Sequence, residues 1–97
     1  MAHAYDTQKI RTAAHVLNDL AESLEAEAVE AVQNAENLTA SLKGKTAVSL
    51  SERLQKDRSE ILHICDLMAE ISGKLKAYAK ALEAVDRQLA QQMKQGG

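Results

Sequence analysis

The chain has 97 residues and a formal net charge of −2, so it is long enough for one small domain and too weakly charged to suggest a nucleic-acid binder. Hydrophobic residues make up 45% of the chain, but only 2% of residues are aromatic, and much of the hydrophobic share is alanine, which buries little surface. Such a chain has difficulty building a self-sufficient core, and we expect it to oligomerise.

Apolar residues at heptad spacing predict a first helix over about residues 6–43. Two rows, four residues apart, form the a and d positions that pack one helix on another. The first row is Ile10, Leu17, Leu24, Ala31 and Leu38, and the second is Ala14, Ala21, Ala28, Ala35 and Leu42.

The stretch "ASLKGKT" at residues 40–46 interrupts the heptads and contains Gly-Lys-Thr, the end of a phosphate-binding loop. That loop requires a glycine at position 39, which is Thr39, and a preceding strand. We therefore interpret the stretch as a turn at about 44–46. Gly44 suits the left-handed position after the first helix, with Lys43 in its last turn. Thr46, or the capping box beginning at Ser49, would start the next helix.

A second helix is predicted over about residues 47–93, followed by a flexible tail at 94–97. Its first apolar row is Ala47, Leu54, Ile61, Met68, Leu75, Leu82 and Leu89. Its second row is Leu50, Ile64, Ile71, Tyr78 and Val85, interrupted by Asp57. Gly73 could mark a bend, a close helix contact or nothing, and its cost in a helix favours a packing reason.

The fold predicted is all-α, an antiparallel two-helix hairpin forming a single domain over 1–97, because a connection this short makes consecutive helices antiparallel neighbours. We expect it to complete a four-helix bundle by homo- or heterodimerisation. Charge supports the pairing of the two helices, since residues 1–42 carry a net −5 and residues 43–97 a net +3.

No pattern of residues predicts catalysis, a metal site or a cofactor. His63 and Cys65 are two residues apart, which places them on different faces of a helix, and Cys65 is expected to be a small buried thiol. The acidic residues lie on polar helix faces, and neither helix has Arg or Lys in its apolar rows, so we predict that the protein is not an enzyme.

Length, the paired helices and the Gly44 turn resemble the WXG (ESAT-like) family of small type VII secretion proteins. The family's Trp-x-Gly corresponds here to Leu42-Lys43-Gly44, with leucine in place of tryptophan. The family's Tyr-x-x-x-Asp/Glu export signal fails at Tyr78, which is followed four residues later by Leu82. The frame Leu82-x-x-x-Asp86 instead resembles the Phe-x-x-x-Asp variant of the small helical partners of LXG-domain toxins, which generally lack Trp-x-Gly as well.

The resemblance implies a helical adaptor that binds the N-terminal region of an LXG-type toxin, or a second WXG-like protein, and presents an export signal to the secretion ATPase. Leu82 and Asp86, one helical turn apart, are the candidate signal. The predicted partner-interface residues are Leu17, Leu24, Leu38, Leu54, Ile61, Met68 and Leu75. The alternative is a self-associating helical bundle of the cytosol, such as a homodimer.

Cellular location follows from what the N-terminus and the apolar rows lack. The segment "MAHAYDTQKIR" has no basic start followed by an apolar run, so we expect cytoplasmic synthesis and, if the protein is exported, a leaderless type VII route. No apolar run approaches the ~20 residues of a membrane span. Membrane contact is not expected, since the first helix is acidic and rich in alanine, unlike helices that lie on membranes.

Overall fold

The computed structural model describes residues 3–42 and 44–96, with side chains described from Asp6 onward. It confirms the predicted all-α hairpin: helix α1 spans His3–Thr39 and helix α2 spans Lys45–Gly96. No strand occurs within these described ranges.

Helix α1 ends four residues before the predicted boundary because the chain tightens there. The amides of Ser41 and Leu42 donate to carbonyls only three residues back, at 3.2 and 2.9 Å. The hydroxyls of Thr39 and Ser41 donate to the carbonyls of Ala35 and Leu38, at 2.8 and 2.7 Å. These bonds satisfy carbonyls that the end of a helix leaves without partners.

Gly44 has the left-handed conformation that was predicted. It does not lie at the predicted position, directly after the end of α1. Its φ is +86°, the left-handed region that glycine adopts without a Cβ clash. Its carbonyl accepts a bond of 3.4 Å from the amide of Val48, so Gly44 caps the start of α2 instead of following the end of α1. Thr46 and Ser49, predicted as caps, lie inside α2, and Lys43 lies outside the described residues.

Helix α2 begins at Lys45 and continues through Gly96. The predicted flexible tail is therefore helical as far as it is described, and Gly97 lies outside the described residues. Glutamine, methionine and lysine at residues 91–95 are good helix formers, and this propensity extends the helix past the last apolar row.

The chain forms two compact units, and the expectation of a single domain stays a prediction. Unit 1 combines residues up to Asn18 with residues from Ala69 onward, and unit 2 comprises Asp19–Met68. The buried residues of both units are small: Thr7, Ala14, Ser72 and Ala79 in unit 1, and Ala21, Ala28, Val32 and Cys65 in unit 2. Small interior residues allow two helices to pack closely, but each contributes little buried apolar area.

The apolar rows predicted on α1 are correct only in their first half. Ala14, Ala21 and Ala28 are buried, whereas Ala31 is exposed and Leu38 is 75% exposed. Val32 is buried in place of Ala31. A straight helix has 3.6 residues per turn and drifts about 20° per heptad, so a strict seven-residue row leaves the interface after a few turns.

The second row predicted on α2 is wrong along its whole length. Leu50, Ile64, Ile71, Tyr78 and Val85 are exposed. The row that faces α1 lies one residue later, and we call it the inner row; it consists of Ser51, Arg58, Cys65, Ser72, Ala79 and Asp86. The first row, from Ala47 to Leu82, is half-buried as expected, and Leu89 is exposed.

The structure shows the surroundings of Gly73 and Asp57, two residues of α2 whose roles the sequence left open. Gly73 is exposed, and a Cβ added there would meet no atom within 4 Å, so the hairpin itself supplies no packing reason for this glycine. Asp57 is half-buried and accepts a bond of 3.1 Å from Arg53 Nε one turn earlier. It therefore interrupts the apolar row with a local ion pair.

Candidate interaction surface and export motif

Helix α2 has a row of exposed apolar residues. Ile71, Tyr78 and Val85 of unit 1 are 49%, 57% and 51% exposed, and Leu50 and Ile64 of unit 2 are similarly exposed. Each lies one residue, or about 100° of helix rotation, before an inner-row residue. Single exposed apolar side chains are ordinary, but a repeating row of them marks an interaction surface.

Helix α1 adds apolar residues to the same side. In an antiparallel pair of right-handed helices, positions one residue before the buried row point to the same side of the pair. On α1 these positions include Ala13 in unit 1 and Leu20 in unit 2, both exposed. We call the apolar side the set Ala13, Ile71, Tyr78 and Val85 of unit 1.

The opposite side is polar in unit 1, whereas in unit 2 it also includes the exposed Val29. Positions one residue after the buried row are Gln8, His15, Gly73, Lys80 and Arg87 in unit 1, and they include Glu22, Glu36, Glu52 and Asp66 in unit 2. Unit 1 is therefore amphipathic, with one side suited to water and one suited to a partner.

The sequence-based interface candidates occupy a different face. Leu17, Leu24, Leu54, Ile61, Met68 and Leu75 are half-buried beside the buried row of their own helix, so part of each is used within the hairpin. Leu38 is exposed. Their role toward a partner stays a prediction. Sequence reasoning assigned Ile71, Tyr78 and Val85 to the interior, although the small residues Ser72 and Ala79 that follow them at heptad spacing were a signal for the true inner row.

The candidate export motif faces α1. Leu82 and Asp86 are both half-buried, and Asp86 follows Ser72 and Ala79 in the inner row. The Oδ1 atom of Asp86 is buried without a hydrogen-bond partner. Asp86 also lines a cavity of about 400 Å³ with Thr7, Gln8, Glu83 and Arg87.

Two polar contacts join the helices of unit 1 near this motif. Arg11 Nε and Nη2 donate to the two carboxylate oxygens of Glu83 at 3.0 and 2.9 Å, a bidentate pair. Ser72 Oγ donates to the carbonyl oxygen of Ala14 at 2.7 Å. The hydrogen bonds with Arg11 lower the pKa of Glu83, and those with Glu83 raise the pKa of Arg11. The basic residue here is on the acidic helix, so net helix charge did not predict this pair.

Unit 2 contains the turn motif and the buried thiol. Leu42 is exposed and lines a cavity of about 450 Å³ with Ala47, Val48 and Ser51. Gln55 Nε2 donates to Glu36 Oε1 between the helices. Cys65 is buried, as predicted; burial raises the pKa of its thiol, and the carboxylates of Glu25 and Asp66 raise it further. A protonated, covered thiol is chemically inert.

No group of three or more His, Cys, Asp or Glu side chains that could hold a metal ion occurs among the described residues. None of the described helical segments has an apolar stretch able to span a bilayer.

A profile of the family described as "WXG100: Proteins of 100 residues with WXG" matches residues 3–87, well over half of the chain. The chain belongs to the WXG100 family. It is thus a small helical protein associated with type VII secretion. Searches of curated proteins and of solved structures gave no match. The correspondence of Leu42 and Gly44 to the family's Trp-x-Gly stays a prediction.

Proposed function

We propose that this WXG100 protein is a non-enzymatic adaptor that binds a helical partner through its apolar side and contributes an export signal for type VII secretion. The partner we favour is the helical N-terminal region of an LXG-type toxin, with a second WXG-like protein as the alternative. The observation that carries the proposal is the exposed row Ile71, Tyr78 and Val85, which the hairpin itself leaves uncovered.

The accessible surface supports a need for a partner. The chain exposes 7404 Å², whereas a compact folded protein of 10.5 kDa exposes about 5,400 Å². The apolar side is part of the exposed surface. A helical partner that covered this side would bury them, at about 25 cal/mol per Å² of apolar area.

The toxin assignment is supported by two features of the sequence. Leucine at position 42 and the Leu82-x-x-x-Asp86 frame resemble the partners of LXG toxins more than the core of the family. We propose that Leu82 and Asp86 are recognised by the secretion ATPase once the adaptor carries its cargo.

The test is co-purification from source cells of the tagged chain, with the bound chains identified by mass spectrometry. The wild-type chain should retain an LXG-type or WXG-like protein in near-equal amount. Ile71→Lys should lose it, because the substitution places a charge in the apolar side. Ala77→Lys adds the same charge at an exposed position outside that side and should retain the partner. Equal retention by both variants contradicts the proposed surface.

The signal requires a separate measurement. Asp86→Asn keeps the shape of the side chain but removes its charge, and we expect it to abolish export while helix content and partner retention are unchanged. Normal export of Asp86→Asn refutes the signal without affecting the assignment of the binding surface.

A further inference from the structure

The inner row of α2 contains a charged residue, Asp86, toward the C-terminus of the helix. Ser72 and Ala79 are 1% and 0% exposed, and the next residue in the same row, Asp86, is half-buried with its Oδ1 covered and unpartnered. A receptor that recognises a carboxylate must reach its oxygens. In the closed hairpin one of the two oxygens of Asp86 is inaccessible.

The beginning of α1 lies beside Asp86. Thr7 is buried and lines the same cavity as Asp86. One turn further along α1, Arg11 holds Glu83 through two hydrogen bonds, and Glu83 is three residues before Asp86 on α2. The bond from Ser72 to the carbonyl of Ala14 fixes the helices another turn away. Both of these contacts lie toward the middle of α1 from Thr7.

Three features weaken the contact between the first turns of α1 and the end of α2. The ion pair between Arg11 and Glu83 is partly open to solvent, at 40% and 38% side-chain exposure, and exposed pairs hold helices weakly. The covered Oδ1 of Asp86 regains hydration when the helices separate. The first turns of a helix also open more readily than its middle.

We propose that the first turns of α1, from Asp6 to Arg11, mask the Leu82–Asp86 motif, and that this end of the hairpin must open before the motif can be recognised. The masking rests on the proposed signal function of that motif. It makes export conditional: the adaptor shows its signal when the start of α1 is displaced, for example by a helix of the bound cargo.

The first experiment measures opening in the purified chain without reference to export. Thr7→Cys in a Cys65→Ala background places a thiol of similar size at the covered position, and its rate of modification by a maleimide reports exposure. Adding Arg11→Ala should increase that rate roughly two- to fivefold. Adding Arg53→Ala, which breaks the exposed ion pair of unit 2, should leave it unchanged. Equal rates in the Arg11→Ala and Arg53→Ala variants overturn the masking, as does a parent thiol that reacts as fast as one in denaturant.

The second experiment connects opening to export, in the otherwise native chain. Arg11→Ala should increase export, and Asp86→Asn should cancel the increase. Unchanged export in Arg11→Ala, together with loss of export in Asp86→Asn, overturns the gate and leaves the signal in place. Normal export in Asp86→Asn removes the proposed signal and its regulation together, whereas the labelling result still decides whether the segment is covered.

Discussion

At the scale of single residues, the ionisation of Glu83 makes the stability of the fold depend on pH. Arg11 holds its pKa below the usual 4.5, chiefly through the two hydrogen bonds and then through charge attraction. A carboxylate whose pKa is lowered on folding stabilises the fold fully above its unfolded pKa. That stabilisation is lost as the pH falls through the lower pKa of the folded state.

We therefore expect the midpoint of unfolding in urea to fall between about pH 5 and pH 3 more steeply for the wild-type chain than for Glu83→Gln. Circular dichroism at 222 nm gives the midpoint at each pH. Glu70→Gln, an exposed residue of the same helix, is the matched control and should keep the wild-type slope. A wild-type slope in Glu83→Gln shows that the pair with Arg11 does not persist in solution.

At the scale of helices, the two described internal glycines respond oppositely to the same substitution. Gly73 lies exposed within α2 with no atom near an added Cβ, so Gly73→Ala should stabilise the chain by about 0.5–1 kcal/mol. Gly44 has a φ of +86°, where a Cβ is strained, so Gly44→Ala should destabilise it by about 1–2 kcal/mol. Urea unfolding of both variants measures the signs. A loss of stability in Gly73→Ala indicates a contact that the hairpin alone does not show.

The helices also show which features of the fold sequence periodicity can predict and which it cannot. Heptad spacing predicted the two helices. The break in that spacing at Gly44 predicted the turn, and the shortness of the connection predicted the antiparallel pairing, because these features depend on local chemistry. It placed Ile71, Tyr78 and Val85 inside, because apolar residues repeat at seven whether α1 or a partner covers them. The true inner row contains Ser72 and Asp86, whose polarity argues for solvent in a sequence. Only the hydrogen bond of Ser72 to the Ala14 carbonyl explains why it is inside.

At the candidate site, too, sequence reasoning could identify some features and not others. Leu82 and Asp86 could be identified only by resemblance to a motif, since nothing in their spacing distinguishes a signal from two successive interior positions. The pair between Arg11 and Glu83 spans 72 residues of sequence and is opposite in sign to the net charges of the helices. Long-range polar contacts of this kind depend on the register of the two helices, which periodicity leaves open.

At the scale of the whole molecule, the hairpin has a small interior and a large apolar exterior. Among the residues whose burial is described, the fully buried apolar ones are alanines, and the largest fully buried side chain is Ser72. Because little apolar area is covered within the chain, the stability of the isolated hairpin should be low. Any partner that binds only the folded state adds to that stability by mass action.

In the absence of other partners, a second copy of the chain is the one available to cover the apolar side. We therefore expect the melting temperature of the purified wild-type chain to rise by roughly 3–6 °C for each tenfold increase in concentration. Ile71→Lys should melt at a temperature independent of concentration, whereas Ala77→Lys should behave as wild type. Scanning calorimetry over two decades of concentration measures all three. If the wild-type chain melts at one temperature throughout while adding an LXG-type N-terminal region raises it, the apolar side is selective for the foreign helix, and self-association is excluded as its function.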